Sequence, residues 1–301
     1  MTRSRLLRVL TVQPALRWLQ PMPNMHLLRQ TLEKQLSGAQ VDLIVLPEVF
    51  NGVPADADAS AGRTARQFLQ TLARALKAAV VGGSIDFLHD DGHRRNSCFV
   101  LDAAGNEIGV YHTRVLYAGE QDTTTAGKQC GIFEVAGVRC GVLICADLWH
   151  PNLARELAGR VDLLCVPAKT TVPSENHVGY ARELWRNLAL TRAMENGLPI
   201  IVSDWAATRH EAVSLADGTQ IRTVHYTSGA ASITDPAKRP DFDALQQTLP
   251  ADQPGILSAV IDLDAIAAYR DHRYNVGLLD KIADNTSKSS DNQSRPDTTV
   301  G

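Results

Sequence analysis

Cysteine is sparse, with Cys98, Cys130, Cys140, Cys145 and Cys165 the only five in 301 residues. An odd number without a short repeat excludes a disulfide framework and fits a reducing compartment. No C-x-x-C pair occurs, which argues against a structural zinc site. Charge of one sign is also missing. Lys and Arg total 30 against 33 Asp and Glu, a net charge of −3, which offers no bulk attraction to nucleic acid or to an anionic membrane. No uninterrupted apolar run reaches the length of a membrane span. The opening MTRSRLLRVLTVQPALRW is rich in arginine, but Arg8 and Gln13 break its apolar stretch and no small-residue cleavage site follows, so it does not read as a signal. These absences predict a cytoplasmic protein with neither a membrane nor a nucleic-acid partner. Glycine-rich phosphate loops are absent, so no nucleotide cofactor is implied. A serine elbow motif and a fixed-period repeat are absent as well.

Apolar residues make up 44% of the chain, enough for a large core. Strand-like and helix-like segments alternate. LRVLTVQ (7–13), VDLIVLP (41–47), AVVGGSI (79–85), VDLLCVP (161–167), LPIIVSD and GILSAVIDL read as strands. Several are apolar throughout, as strands buried on both faces are. MHLLRQTLEKQL (25–36), TARQFLQTLARALKAAV (64–80), LARELAG (153–159) and YARELWRNLALTRAMENG (180–197) carry helical spacing. HDDGH (89–93), AAGNE (103–107), Gly137 and the Asp-Gly pair in VSLADGTQIRTV mark hairpins. Hairpins interleaved with crossovers predict an α/β fold with mixed sheets. One domain over residues 1–280 is expected. The remaining 281–301, almost devoid of apolar residues from 284 onward, is expected to be a disordered polar tail.

Three residues stand where chemistry is carried in such folds. Cys145 ends the apolar strand in RCGVLICADLWHP, at the carboxyl end where α/β proteins present reactive groups. Pro151 marks a helix start nearby, whose field would favour a thiolate. Glu48 ends VDLIVLPE, where burial would raise its pKa and suit it to take a thiol proton. Glu120 follows a glycine in YAGEQD. Asp147 opens a loop before a helix, a position at which an acid usually accepts from backbone. The Asp and His residues of HDDGH read as a solvated turn, so no metal is implied.

VDLIVLPEVF, YAGEQDTTTAG, GVLICADLWHPNLARELA, VDLLCVPA and ALTRAMENGLPIIVSD together resemble the nitrilase superfamily of carbon–nitrogen hydrolases, in matching order and spacing over most of the chain. The resemblance implies a four-layer αββα sandwich with mixed sheets that pairs as a homodimer or higher homo-oligomer. It implies a small-molecule amide, nitrile or N-carbamoyl substrate, with Cys145 as nucleophile, Glu48 as general base, Glu120 as a second glutamate and the Ala146 N–H as an oxyanion donor. The family usually carries a lysine in the segment that reads YHTRVLYAGE here, and that position holds Thr113. Arg114, Lys128 and Lys169 are the cations at hand. An extended segment turns Arg114 away from the face of residue 113, Lys128 has no spacing in its favour, and the resemblance implies that Lys169 lies close to Cys145. Trp149, His150 and His177 are expected around the pocket, Trp149 and His150 as substrate contacts. Three outcomes remain open: hydrolysis through an acyl-thioester or thioimidate; acyl transfer, condensation or elimination at the same cysteine; or an impaired family member used as a binding or scaffold subunit.

Overall fold

Along Leu6–Gln13, the first strand β1, successive side chains enter two different cores. Leu7 and Val9 join one apolar cluster, while Leu10 and Val12 join another. The same division recurs at Val45 and Ile44, and at Val81 and Val80. A strand buried on both faces needs no polar alternation, which is why these segments read as continuous apolar runs.

The structure is a computed structural model and describes residues 5–36, 38–52, 59–216, 219–238 and 242–279. In chain order β1 is followed by α1 (Pro21–Gln35), β2 (Leu43–Val45), α2 (Ala59–Leu76), β3 (Ala79–Val81), β4 (Ile85–Leu88), β5 (Arg94–Leu101) and β6 (Glu107–His112). Then come β7 (Ile132–Val135), β8 (Val138–Val142), α3 (Pro151–Leu157), β9 (Leu163–Pro167), β10 (Thr171–Val172), α4 (Val178–Asn196) and β11 (Ile200–Ser203). The last elements are β12 (Arg209–Ala216), β13 (Thr219–Thr227), β14 (Ser232–Thr234), α5 (Phe242–Leu245), β15 (Gln246–Thr248), β16 (Gly255–Asp262) and α6 (Leu263–Asn275).

One sheet runs β16-β1-β2-β3-β5-β4, with β6 paired to β5, and the other runs β15-β14-β11-β9-β8-β7. In both, parallel central pairs (β1 with β2, β2 with β3, β8 with β9, β9 with β11) are flanked by antiparallel ones. Leu28, Leu32, Leu69 and Leu72 of α1 and α2 pack on one face of the first sheet. Leu153 and Leu157 of α3, with Trp185, Ala189 and Ala193 of α4, pack with the second sheet in the larger core. Each buried leucine contributes about 2 kcal/mol. Two hydroxyls stitch the sheets together: Thr11 Oγ1 donates to the Val202 carbonyl at 3.0 Å and Ser203 Oγ to that of Val12 at 2.8 Å. The order is helix, sheet, sheet, helix, the αββα sandwich with mixed sheets that the family resemblance implies.

Boundaries moved where local geometry overrode periodicity. α1 begins four residues earlier than its apolar spacing suggests, with proline in its first turn, where a missing N–H costs nothing. The second helix ends at Leu76 because Lys77 turns left-handed, with φ 51°. AVVGGSI is two strands, β3 and β4. Gly83 sits between them at φ 62°, and a Cβ there would lie 2.2 Å from the Pro47 carbonyl oxygen. HDDGH closes the β4–β5 hairpin, with Asp91 held by Arg95 and by the His93 N–H. Gly197 caps α4 at φ 61°. The Asp-Gly turn between β12 and β13 and the polar stretch 281–301 lie outside the described residues. Among the described residues no helix is long and apolar enough to cross a membrane.

Candidate active site

β2, β8 and β9 end close together, and the chain just beyond each end supplies one polar group to a common cavity of about 470 Å³. Leu46 and Pro47 lead from β2 to Glu48, Leu143 and Ile144 from β8 to Cys145, and Ala168 from β9 to Lys169. Thr113, Glu120, Ala146 and Trp149 also border the cavity, as does His177. His150 does not: it is exposed, and its backbone caps α3 instead. Lys128 is exposed and lies outside the lining.

Glu48 is 7% exposed and held on every side. Asn96 Nδ2 donates to one carboxyl oxygen at 2.8 Å and the Lys169 N–H to the other at 2.9 Å. Its backbone N–H donates to the Ala168 carbonyl at 3.2 Å, and Trp205 Nε1 donates to its backbone carbonyl at 2.8 Å. The carboxyl borders the same cavity as the Cys145 thiol, and the two are electrostatically coupled. Burial pushes the Glu48 pKa up to about 7, aided by Glu120 and opposed by Lys169 and these hydrogen bonds. Such a group sits at the protonation balance a general base needs near neutral pH.

Cys145 opens a 3-10 turn, Cys145–Trp149, that separates it from α3. Its backbone is left-handed, with φ 41°. The expected help from a helix start does not prevail. Burial, and then the Glu48 carboxyl, drive the thiol well above its ordinary pKa. The resting group is therefore a thiol in the same cavity as a buried carboxyl. The residues around it share its strain: Val49, beside Glu48, has φ 46°, and Ala118, two before Glu120, has φ 49°. A β-branched residue at positive φ is a real outlier, and Val49 is one; the other two positive-φ positions are Cys145 itself and the alanine two before Glu120.

Asp147 is the backbone acceptor its position suggests, but its reach is longer than a local turn. Oδ2 accepts from Tyr111 Oη at 2.7 Å and the Ile144 N–H at 3.0 Å. Oδ1 accepts from the N–H groups of Arg114 at 3.0 Å and Val115 at 2.8 Å. It bolts the Thr113 segment to the Cys145 turn. Thr113 is 2% exposed, and its hydroxyl proton is shared between the Val115 carbonyl at 3.3 Å and Asp147 Oδ1 at 3.4 Å. Arg114 points elsewhere, pairing with Glu156 at 2.6 Å.

Among the described residues, the lysine or arginine that borders the cavity is Lys169. Its ammonium lies 4.3 Å from the Trp18 ring centroid and 5.9 Å from that of Trp205, within cation–π range. It lowers the pKa values of Glu48, Asp86 and Glu120. Glu120 accepts from the Tyr117 N–H at 2.7 Å, and burial raises its pKa.

Three residues enter the site that the sequence reading did not single out. Asp86 borders the cavity, paired with Arg94 at 3.8 Å, and burial pushes its pKa up to about 6. Its signal resembles that of Glu48: an acid where an apolar run, here AVVGGSI, gives way. Asn96 follows Arg94 and Arg95 and precedes Ser97 in the polar half of β5, and so carried no distinct signal. Trp18 comes from the irregular chain after β1 and carried none.

A family model described as carbon-nitrogen hydrolase matches residues 8–271. The 2-oxoglutaramate amidase of Bacillus subtilis (strain 168) is 28% identical over 187 residues, covering 58% of this chain and 67% of that protein. XC1258 from Xanthomonas campestris, a CN-hydrolase superfamily protein with an arsenic adduct in its active site, superposes with a TM-score of 0.71 at 23% identity, covering 93% of this chain and 99% of that one. The amidase from Nesterenkonia sp. AN1, with the acetamide moiety of fluoroacetamide added covalently at its active-site cysteine, superposes with a TM-score of 0.68 at 22% identity, covering 90% and 97%.

Proposed function

The chain belongs to the carbon–nitrogen hydrolase family, and from that premise we propose that it hydrolyses a small amide through an acyl-thioester on Cys145. The observation that carries this reading is the buried Glu48 carboxyl, fixed by Asn96 and the Lys169 N–H where it borders one cavity with Cys145. Glu48 takes the thiol proton as sulfur attacks the amide carbon. The carbon–oxygen double bond becomes a tetrahedral oxyanion, stabilised by the Ala146 N–H and the Lys169 ammonium. The carbon–nitrogen bond then breaks. The nitrogen leaves as ammonia or an amine, carrying the proton Glu48 returns, and Glu120 orients it. Water loses a proton to Glu48, attacks the thioester and releases the acid and the thiol.

Thr113 supplies no positive charge at the position where the family usually holds lysine. A missing oxyanion-stabilising group costs about 3–4 kcal/mol of transition-state stabilisation. In this reading Lys169, reaching the cavity from the neighbouring strand end, takes over that role. Glu48, Cys145, Glu120 and Lys169 line one cavity, which favours catalysis over a purely scaffolding role.

Intact-mass measurement after mixing with a panel of short amides tests the mechanism. The expected result is an acyl adduct that Cys145→Ala abolishes and Glu48→Gln suppresses, with free acid and ammonia as products. Unchanged turnover in Cys145→Ala would sink the reading. An amide of an added amine, formed in place of free acid, would convert it to acyl transfer.

A further inference from the structure

The exposed large apolar side chains among the described residues include three aromatic ones: Tyr117 (62% exposed), Trp149 (45%) and Tyr180 (68%). All three border the cavity that holds Cys145. They come from separate parts of the chain: the approach to Glu120, the end of the Cys145 turn, and the first turn of α4. Scattered exposed apolar residues need no explanation, but rings converging from three segments on one opening mark a ligand surface.

The platform is built before anything binds. Trp149 meets Trp185 edge to face, with centroids 6.3 Å apart and planes at 88°. Trp185 is itself 5% exposed. Arg192 Nε and Nη2 donate to the carbonyls of Leu148 at 3.1 Å and Trp149 at 3.2 Å, fixing the backbone that carries the ring. Val115, Val172 and Leu184 add apolar wall to the same cavity.

The charge in the cavity runs the other way from what an acidic ligand needs. Glu48, Asp86 and Glu120 border it, and Lys169, the cation facing them, lies against Trp18. No arginine lines it among the described residues. A carboxylate on the far end of a substrate would meet acids inside and rings outside.

We propose that the substrate's acyl arm ends in an aryl group, seated among Tyr117, Trp149 and Tyr180 while the amide carbon reaches Cys145. The aryl face stacks on or meets the edges of these rings. This rests on the reading of Cys145 as the nucleophile, and the experiment separates the two.

Compare 3-phenylpropanamide, propionamide and succinamate as substrates. The expected order places the aryl amide at least tenfold above propionamide in kcat/KM, with succinamate lowest. Trp149→Ala and Tyr180→Ala should each narrow the aryl-to-propionamide ratio about tenfold. Ile108→Ala, an exposed apolar change outside the cavity lining, should leave the ratio alone. In the Cys145→Ala protein, 3-phenylpropanamide should quench tryptophan fluorescence and succinamate should not. That binding result stands even if no amide is turned over, in which case the mechanism fails and the aryl site survives. Succinamate turned over as well as the aryl amide would overturn the proposal. So would Trp149→Ala and Tyr180→Ala reducing the assembly size on sedimentation with the ratio unmoved, because a second copy would then cover the rings.

Discussion

At the scale of single residues, Glu48 and Lys169 set each other's value. Lys169 lowers the Glu48 pKa while burial raises it to about 7. A base must be unprotonated to accept the thiol proton, so kcat/KM should fall about tenfold per pH unit below roughly 7. Replacing Lys169 by Met removes an opposing charge as well as an oxyanion partner. The rate should drop by about 10²- to 10³-fold. The acid limb should also move to higher pH, because the carboxylate has lost a cation that favoured it. Lys169→Arg should restore the position of the limb more fully than the rate. A pH–rate profile of the three proteins measures both effects. A limb that stays put in Lys169→Met would mean that the ammonium does not act on Glu48.

At the scale of elements, the left-handed turn at Cys145 makes a counterintuitive stability order. Alanine is normally preferred to glycine because glycine has more freedom to lose on folding. At φ 41° the order should invert, since a Cβ in this region costs about 1–2 kcal/mol. Cys145→Gly should therefore unfold at a higher urea concentration than Cys145→Ala, by about 1 kcal/mol, and the usual order would show that the turn relaxes. The strand ends that carry Glu48 and Cys145 were legible in the sequence, because apolar runs stop abruptly at a polar group in each. Which ends meet was not legible from periodicity. The resemblance implied that Lys169 lies near Cys145, but its approach to Trp18 depends on two sheets stacking face to face. Nor did Thr171–Val172 announce itself as β10, which pairs with β13 and leads a separate three-stranded sheet with β12. Two residues carry no usable period. The single strand expected over 79–85 became two for a local reason, the left-handed Gly83 pressed against the Pro47 carbonyl.

For the whole molecule, the buried acids make stability depend on pH. Burial raises Glu48 to about 7 and Asp86 to about 6, so the folded chain holds these protons more tightly than the unfolded one. Their contribution is complete below the ordinary carboxylate range and is lost as pH climbs through about 7. For Glu48 alone the difference is on the order of 3 kcal/mol. Asp91 and Asp102 have pKa values held below the ordinary range, chiefly by hydrogen bonds from Arg95 and Asn106 respectively, and their contribution is lost on further acidification. Urea midpoints should therefore be higher near pH 5.5 than near pH 8. Glu48→Gln should flatten that decline, and an equally steep decline in the variant would place its source elsewhere.

The bolt formed by Asp147 has a consequence for how this chain can change. The backbone at 113 is held by its own N–H, which donates to the Asn96 carbonyl at 3.0 Å, and by its carbonyl, which accepts from Gly127 at 2.7 Å. The next two N–H groups are held by Asp147. None of these bonds involves the side chain of residue 113. That position is a socket: the backbone is held independently of its occupant, and the Thr113 hydroxyl adds only two long contacts, to Val115 and Asp147, so this part of the cavity wall is open to drift, to selection and to redesign.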